Sequence, residues 1–315
     1  MKKLKKLSFA LSILSILTFF TPANAELKVV TSIKPIHSLA SYLMDGIGKP
    51  DLIVDGYASP HVFSMKPSHA KMLQNADLIF WVGEDLESFL KKPLSSIAKK
   101  AEKIELIEIK GLNVLKFRER NIFDDHDHDD HAKKEEHDDH DDHEGHNHGE
   151  YDAHIWLDPI NAKVILFEMS KHLIELDAKN ESVYRDNLSK AYNEIDKLTK
   201  DVTAELDQSV ASIVFHDAYQ YFEKRFNVNI LGAFTVNTDV MPGAEQLAEI
   251  REIIEHDKVS CVFSEPQFNP DIIKAVAKDM NIKTGVIDPL GATLKPGKDL
   301  YFDLIRNMSA SFKGC

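Results

Sequence analysis

The chain has 315 residues, with 51 Asp and Glu against 38 Lys and Arg, 15 His, two Cys and a formal charge of −13 at pH 7. That length supports two lobes with cores of their own, and 43% hydrophobic content excludes a globally disordered chain. Net acidity argues against a nucleic-acid partner and suits a cationic one. Two Cys exclude a disulfide-dense scaffold and a zinc site built from Cys alone.

Lys2, Lys3, Lys5 and Lys6 precede the apolar run LSFALSILSILTFF at 7–20, and Ala23-Asn24-Ala25 is a small-x-small cleavage site. Residues 1–25 therefore read as an export signal cleaved after Ala25. The run is shorter than the roughly 20 residues needed to span a bilayer, and no Cys follows it to take a lipid. The expected product has no membrane anchor, lies in the periplasm and carries −17 once the four Lys are gone. In that oxidising compartment Cys261 and Cys315 are expected to pair, pinning the last helix to a strand; a metal–thiolate pair is the alternative.

From Glu26 onward, apolar runs alternate with helical patterns. Strands are predicted at 27–31, 52–54, 77–82 and 104–109, and helices at 34–45, from Pro67 to about 75, and at 85–99. After a break at 111–151, helices follow at 160–177 and 181–208. The second of these has no Gly or Pro, spaces its apolar residues at steps of three or four and would run about 40 Å. Strands then recur at 211–216, 228–234, 259–263 and 282–287, with helices at 217–226, 243–256, 270–280 and 300–312. The expected fold is α/β: two lobes, 26–180 and 209–315, each a mostly parallel four-stranded sheet with flanking helices. A rigid helix at 181–208 joins them.

The break holds a low-complexity tract. Residues 124–148 carry 12 acidic residues, two Lys and His126, His128, His131, His137, His140, His143, His146 and His148. Such a segment has no core-forming residues, and its imidazoles and carboxylates suit loose binding of several Zn-, Ni- or Cu-like ions. A defined site needs His at the ends of ordered elements. In an open parallel sheet, ligands bind beyond the carboxyl ends of strands. His61, in the loop after strand 52–54, and His216, closing ASIVFH, are placed there. So is Asp288, closing TGVID, while His154 opens the run IWLDP. His37, His69, His172 and His256 fall in or at the ends of helices and read as structural or exposed. Three imidazoles plus a carboxylate or water is a zinc-like set, whereas manganese and calcium favour more oxygen donors. With ligands from both halves, the ion would sit in the cleft between them.

The segments SIKPIHSLA, PSHAKMLQNADLIFWVG, HIWLDP, FHDAYQYFEKRF, GAFTVN, SCVFSEPQFNP and GVIDPLG resemble the zinc-uptake branch of the cluster A-I periplasmic solute-binding proteins, over essentially the whole exported chain. The resemblance implies two α/β lobes joined by one long helix, and capture of Zn2+ for delivery to the membrane permease of an ABC importer. It implies His61, His154 and His216 as ligands with Asp288 in or near the shell, and a Cys261–Cys315 disulfide. Related manganese receptors carry Glu at the position of His216. Some zinc-branch members place Glu just before the first ligand His; here Ser59 and Pro60 stand there, so the fourth position falls to Asp288, water or a tract His. The implied protein is a monomeric receptor and not an enzyme. The other readings are a periplasmic metal buffer or adhesin without a transport role, and a zinc hydrolase; neither HExxH nor GxSxG occurs. Glu265, the one spare acid near a strand end, reads as a hydrogen-bonding residue.

Overall fold

The structure is a computed structural model that describes residues 26–118, 120–123, 150–236, 238 and 242–315. The expected export signal and the His/Asp tract lie outside the described residues. The first half runs β1 (Val29–Ile33), α1 (Lys34–Leu43), β2 (Asp51–Val54), α2 (Pro67–Asn75), β3 (Leu78–Trp81), α3 (Lys91–Ser96) and β4 (Glu102–Glu105). These four strands form one parallel sheet in the order β2-β1-β3-β4. α4 (Pro159–Leu176) and the long α5 (Glu181–Glu205) follow. The second half runs β5 (Ala211–His216), α6 (Gln220–Phe226), β6 (Asn229–Thr235), α7 (Ala244–His256), β7 (Cys261–Ser264), α8 (Asp271–Met280), β8 (Lys283–Val286) and α9 (Leu300–Lys313). Its sheet is parallel in the order β6-β5-β7-β8, so each half threads its strands the same way.

β1, β3 and β5 are buried throughout, as strands covered on both faces are. Alternation along β5 then divides the core. Ile213 and Phe215 face the cluster under α7 and α8, with Phe234, Ile250, Ile254, Ile273 and Val276. Val214 faces the other way, into a cluster that runs without a break through α9, α5, α4 and α1 into the first sheet. α5 supplies Tyr184, Ala191, Ile195, Leu198 and Val202 to it, and Asn187 Nδ2 donates to the carbonyls of Leu43 and Asp45. One face of the second sheet thus shares a core with the first half. Cys261, in β7, is disulfide-bonded to Cys315 just past α9.

The predicted helix at 85–99 is a 3-10 turn at Ser88–Leu90 followed by the short α3. Pro93 is tolerated only in a first turn, and the Ser95 and Ser96 hydroxyls both bond the Lys92 carbonyl. The predicted strand at 104–109 pairs at 102–105 and then coils into a 3-10 turn. The helix expected from 217 begins at Gln220, because the Asp217 amide turns back to the Thr235 carbonyl and the Ala218 amide to that of His216.

Residues 121–123, just before the tract, lie along the free edge of β6. The Ala233 amide donates to the Asn121 carbonyl at 2.8 Å, and the Phe123 amide to that of Leu231 at 2.9 Å. Ile122 bridges Gly232 in antiparallel sense, and Asn121 Nδ2 donates to Phe234 O. Gly232 is required for this approach: a Cβ there would stand 2.6 Å from the Asn121 oxygen.

Candidate metal centre

His216 is the last residue of β5, at the carboxyl end of the second sheet. His61 lies in the loop after β2, its amide donating to Ser59 Oγ. His154 stands just before a 3-10 turn (Ile155–Leu157) that leads into α4. Asp158, at the α4 N-cap, accepts from the Ile160 amide and receives Arg225 Nε and Nη2 on its two oxygens. This forked ion pair joins α6 of the second half to the segment bearing His154.

Together the three histidines offer ring nitrogens all within 4.8 Å of one another. His154 Nε2 faces His216 Nε2 at 3.4 Å, and the His61 ring centroid lies 5.6 and 5.7 Å from theirs. His154 and His216 are buried. Zn–N bonds of about 2.0–2.1 Å in tetrahedral geometry place neighbouring nitrogens about 3.3 Å apart, close to the observed spacing.

The far nitrogen of each buried ring is fixed. Asp152 Oδ1 lies 2.7 Å from His154 Nδ1, and Glu265 Oε1 lies 2.6 Å from His216 Nδ1. A carboxylate accepts, so each Nδ1 carries a proton, and Nε2 is the nitrogen that offers a lone pair whenever the ring is neutral. This is the outer arrangement of metal-bound imidazole, in which a carboxylate sets the tautomer and raises ligand basicity. Asp152 and Glu265 are themselves buried, and the buried Tyr219 hydroxyl lies beside Glu265.

The walls are Ser59, Pro60, Trp156, Gln267, Phe268, Pro289 and Leu290, around a cavity of about 10 Å³. That is the room of one water-sized sphere, and it excludes an organic solute. Trp156 Nε1 donates to the Pro289 carbonyl across the two halves, and Tyr221 OH to the Asp152 carbonyl.

Asp288 does not join the three histidines. Its Oδ1 accepts from the amides of Leu290 and Gly291 and from Gln267 Nε2, and its Oδ2 from the Ala292 amide. Four donors hold it as the anchor of the loop that supplies Pro289 and Leu290. The same loop turns its carbonyls of Gly291, Ala292 and Leu294 onto the buried Lys34 Nζ, at 3.2, 2.9 and 2.9 Å, with Asp55 at 3.3 Å. The tract histidines lie outside the described residues. Elsewhere, His37 Nε2 donates to the Pro50 carbonyl, and burial lowers its pKa. His69 Nδ1 accepts from the Lys66 amide at the start of α2, and His256 is exposed. Glu265 is hydrogen-bonded as expected, but its partner is a site residue. Asp152 was not singled out in the sequence, although an Asp two positions before a His is a local signal for such a pair.

Over residues 29–315 the chain matches the family model described as ZnuA, zinc-uptake complex component A periplasmic. It is 46% identical over 332 residues to the high-affinity zinc uptake system protein ZnuA of Brucella abortus (strain 2308), covering 100% of this chain and 99% of that one. To the protein of the same name from Yersinia pestis it is 36% identical over 305 residues, covering 96% and 95%. Among solved structures, a zinc-bound ZnuA deletion mutant aligns with a TM-score of 0.74 at 20% identity, covering 92% of this chain and 97% of that one. A mutant laminin-binding adhesin, Lmb, of Streptococcus agalactiae aligns at 0.73 and 23%, covering 91% and 98%. At those identities the two structures speak to the fold alone. The full-length relatives and the family model carry the assignment: the chain belongs to the ZnuA family of periplasmic zinc-uptake components.

Proposed function

We propose that this chain captures Zn2+ in the periplasm on His61, His154 and His216 and delivers it to the membrane permease of an ABC importer. The observation that carries the reading is the facing pair of Nε2 atoms at 3.4 Å, each on a ring whose other nitrogen is held by a buried carboxylate. Three neutral imidazoles favour zinc over the oxygen-seeking manganese and calcium. With Asp288 committed to its own loop, the fourth position falls to water or a tract His. Export by residues 1–25 supplies the compartment, and no helix among the described residues is long and apolar enough to cross a membrane. The ion is cargo in this reading, and the chain acts as a monomeric receptor rather than an enzyme. A hydrolytic zinc would need a free acid and room for a substrate. Glu265 is tied to His216, and the cavity holds little more than an ion.

The test is Zn2+ titration of the whole exported chain against a competing chelator, with and without His216→Ala. The expected result is loss of the tightest site with the weaker tract sites intact. Unchanged tight binding would refute the cleft assignment and leave a tract-based metal buffer. Because each bound imidazole must be deprotonated, affinity is expected to fall in acid.

A further inference from the structure

One residue in the wall of the cavity has only half of its polar group engaged. Gln267 lies in the turn that follows β7, where the Phe268 amide donates to the Glu265 carbonyl at 3.3 Å. Pro266 takes the second position of that turn, to which its fixed φ is suited. The turn delivers two side chains. Glu265 reaches His216 Nδ1, and Gln267 lines the cavity beside the three histidines.

A neighbour fixes which end of the Gln267 amide is which. Asp288 Oδ1 lies 2.8 Å from one of them. That carboxylate also accepts from the amides of Leu290, Gly291 and Ala292. A carboxylate receives N–H groups, so the atom facing it is Nε2 and the other is Oε1. Oε1 is sealed from solvent, and no donor among the described residues reaches it. Gln267 lines the cavity and Asp288 does not, so the amide stands between that carboxylate and the histidines. An enclosed carbonyl oxygen without a donor is costly, and its position beside the histidines lets the donor arrive with the ion. The arrangement repeats what lies behind His154 and His216, where a carboxylate on the far atom fixes how the inward group is turned.

We propose that Gln267 Oε1 accepts a hydrogen bond from the water in the fourth position of the captured Zn2+, with Asp288 holding the amide in that orientation. The proposal rests on the three-histidine reading. The cavity of about 10 Å³ has the room of one water-sized sphere, so it takes a water and excludes an imidazole of the tract. An amide oxygen takes up no proton near neutral pH, so the water it holds stays a ligand and is not turned into a nucleophile. Gln267 is thus a positioning residue for retention of the ion.

The test compares Gln267→Met and Gln267→Glu with the unaltered exported chain, by Zn2+ titration against a competing chelator in mildly alkaline buffer, where Glu is ionised. Neither Met nor an ionised Glu can donate to Asp288, so both lose that bond, and only Glu keeps an oxygen acceptor. Gln267→Met is expected to bind Zn2+ about tenfold or more weakly, and Gln267→Glu no more weakly than the unaltered chain. A loss in Gln267→Glu as large as that in Gln267→Met would assign Gln267 to propping the Asp288 loop and overturn the proposal. Undiminished binding by a folded Gln267→Met would overturn it too. Should either variant fail to fold, a zinc-loaded crystal structure of the unaltered chain decides. A water on the ion within hydrogen-bonding distance of Oε1 is expected. An Oε1 turned away from that water, with the ion on His61, His154 and His216, would sink this proposal alone. An ion away from those histidines would refute the underlying reading as well.

Discussion

At the scale of single residues, two of the three cleft imidazoles are backed by buried carboxylates. Asp152→Asn and Glu265→Gln each keep a hydrogen-bonding group beside the ring but remove the charge that raises its basicity. Each is expected to weaken Zn2+ binding about 10–100-fold, less than loss of His216 itself, in the same chelator competition. Glu87 gives a separate test. Its Oε2 accepts from the Val82 and Gly83 amides at 2.8 and 3.0 Å, and burial pushes its pKa from 4.5 up to about 7. A raised acid favours folding while protonated. Its contribution is fully present below about pH 4.5 and is lost as pH rises through about 7, a change of about 3 kcal/mol. Glu87→Gln accepts from the same amides and should flatten the stability profile across that window, measured by urea unfolding at several pH values. Of the three histidines that lie together, only His216 closes a strand; His61 and His154 lie in loops beside ordered elements, and that placement singles them out. Asp288 shares that position, but the turn that follows it offers the amides of residues 290–292, and an Asp accepts backbone N–H groups as readily as it binds a cation.

At the scale of elements, the periodicity located most strands and helices within a residue or two. It matched β5 throughout, where six consecutive buried residues admit no other reading. It failed where side chains compete with the backbone, as at Pro93, Ser95 and Ser96. The stretch 121–123 carries no strand pattern of its own, and its pairing with β6 depends on a glycine more than a hundred residues away. Gly232→Ala would drive a methyl carbon against the Asn121 oxygen. It is expected to cost about 1–3 kcal/mol of stability, read as a lowered urea midpoint with unchanged slope.

At the scale of the whole molecule, two sheets threaded alike present their carboxyl ends to one cleft, and a single apolar cluster ties them together behind it. Alternating strands and helices made the two-lobe architecture readable. The continuity of the core was not readable, since it depends on which face of each helix meets which sheet. The Cys261–Cys315 disulfide closes a separation of 54 residues. Replacing both with Ser is expected to cost about 4 kcal/mol on the loop-entropy estimate, measured by urea unfolding without zinc, while the cleft keeps its Zn2+ affinity.

The Lys34 ammonium, held by three carbonyls and Asp55, bears on how long a captured ion stays. The carbonyls belong to the loop that walls the cavity, and Asp55 begins the stretch that leads to His61. Parting the halves would strip the buried Lys34 of its three carbonyl partners and leave it only Asp55, an expected cost of several kcal/mol, so wide opening is a slow route of escape. Tyr57 and Val62 stand exposed on the 55–66 loop that carries His61, and local displacement of that loop is the expected faster route. On that expectation the residence time of the ion follows one loop, and a partner gripping that loop would shorten it without unfolding anything else.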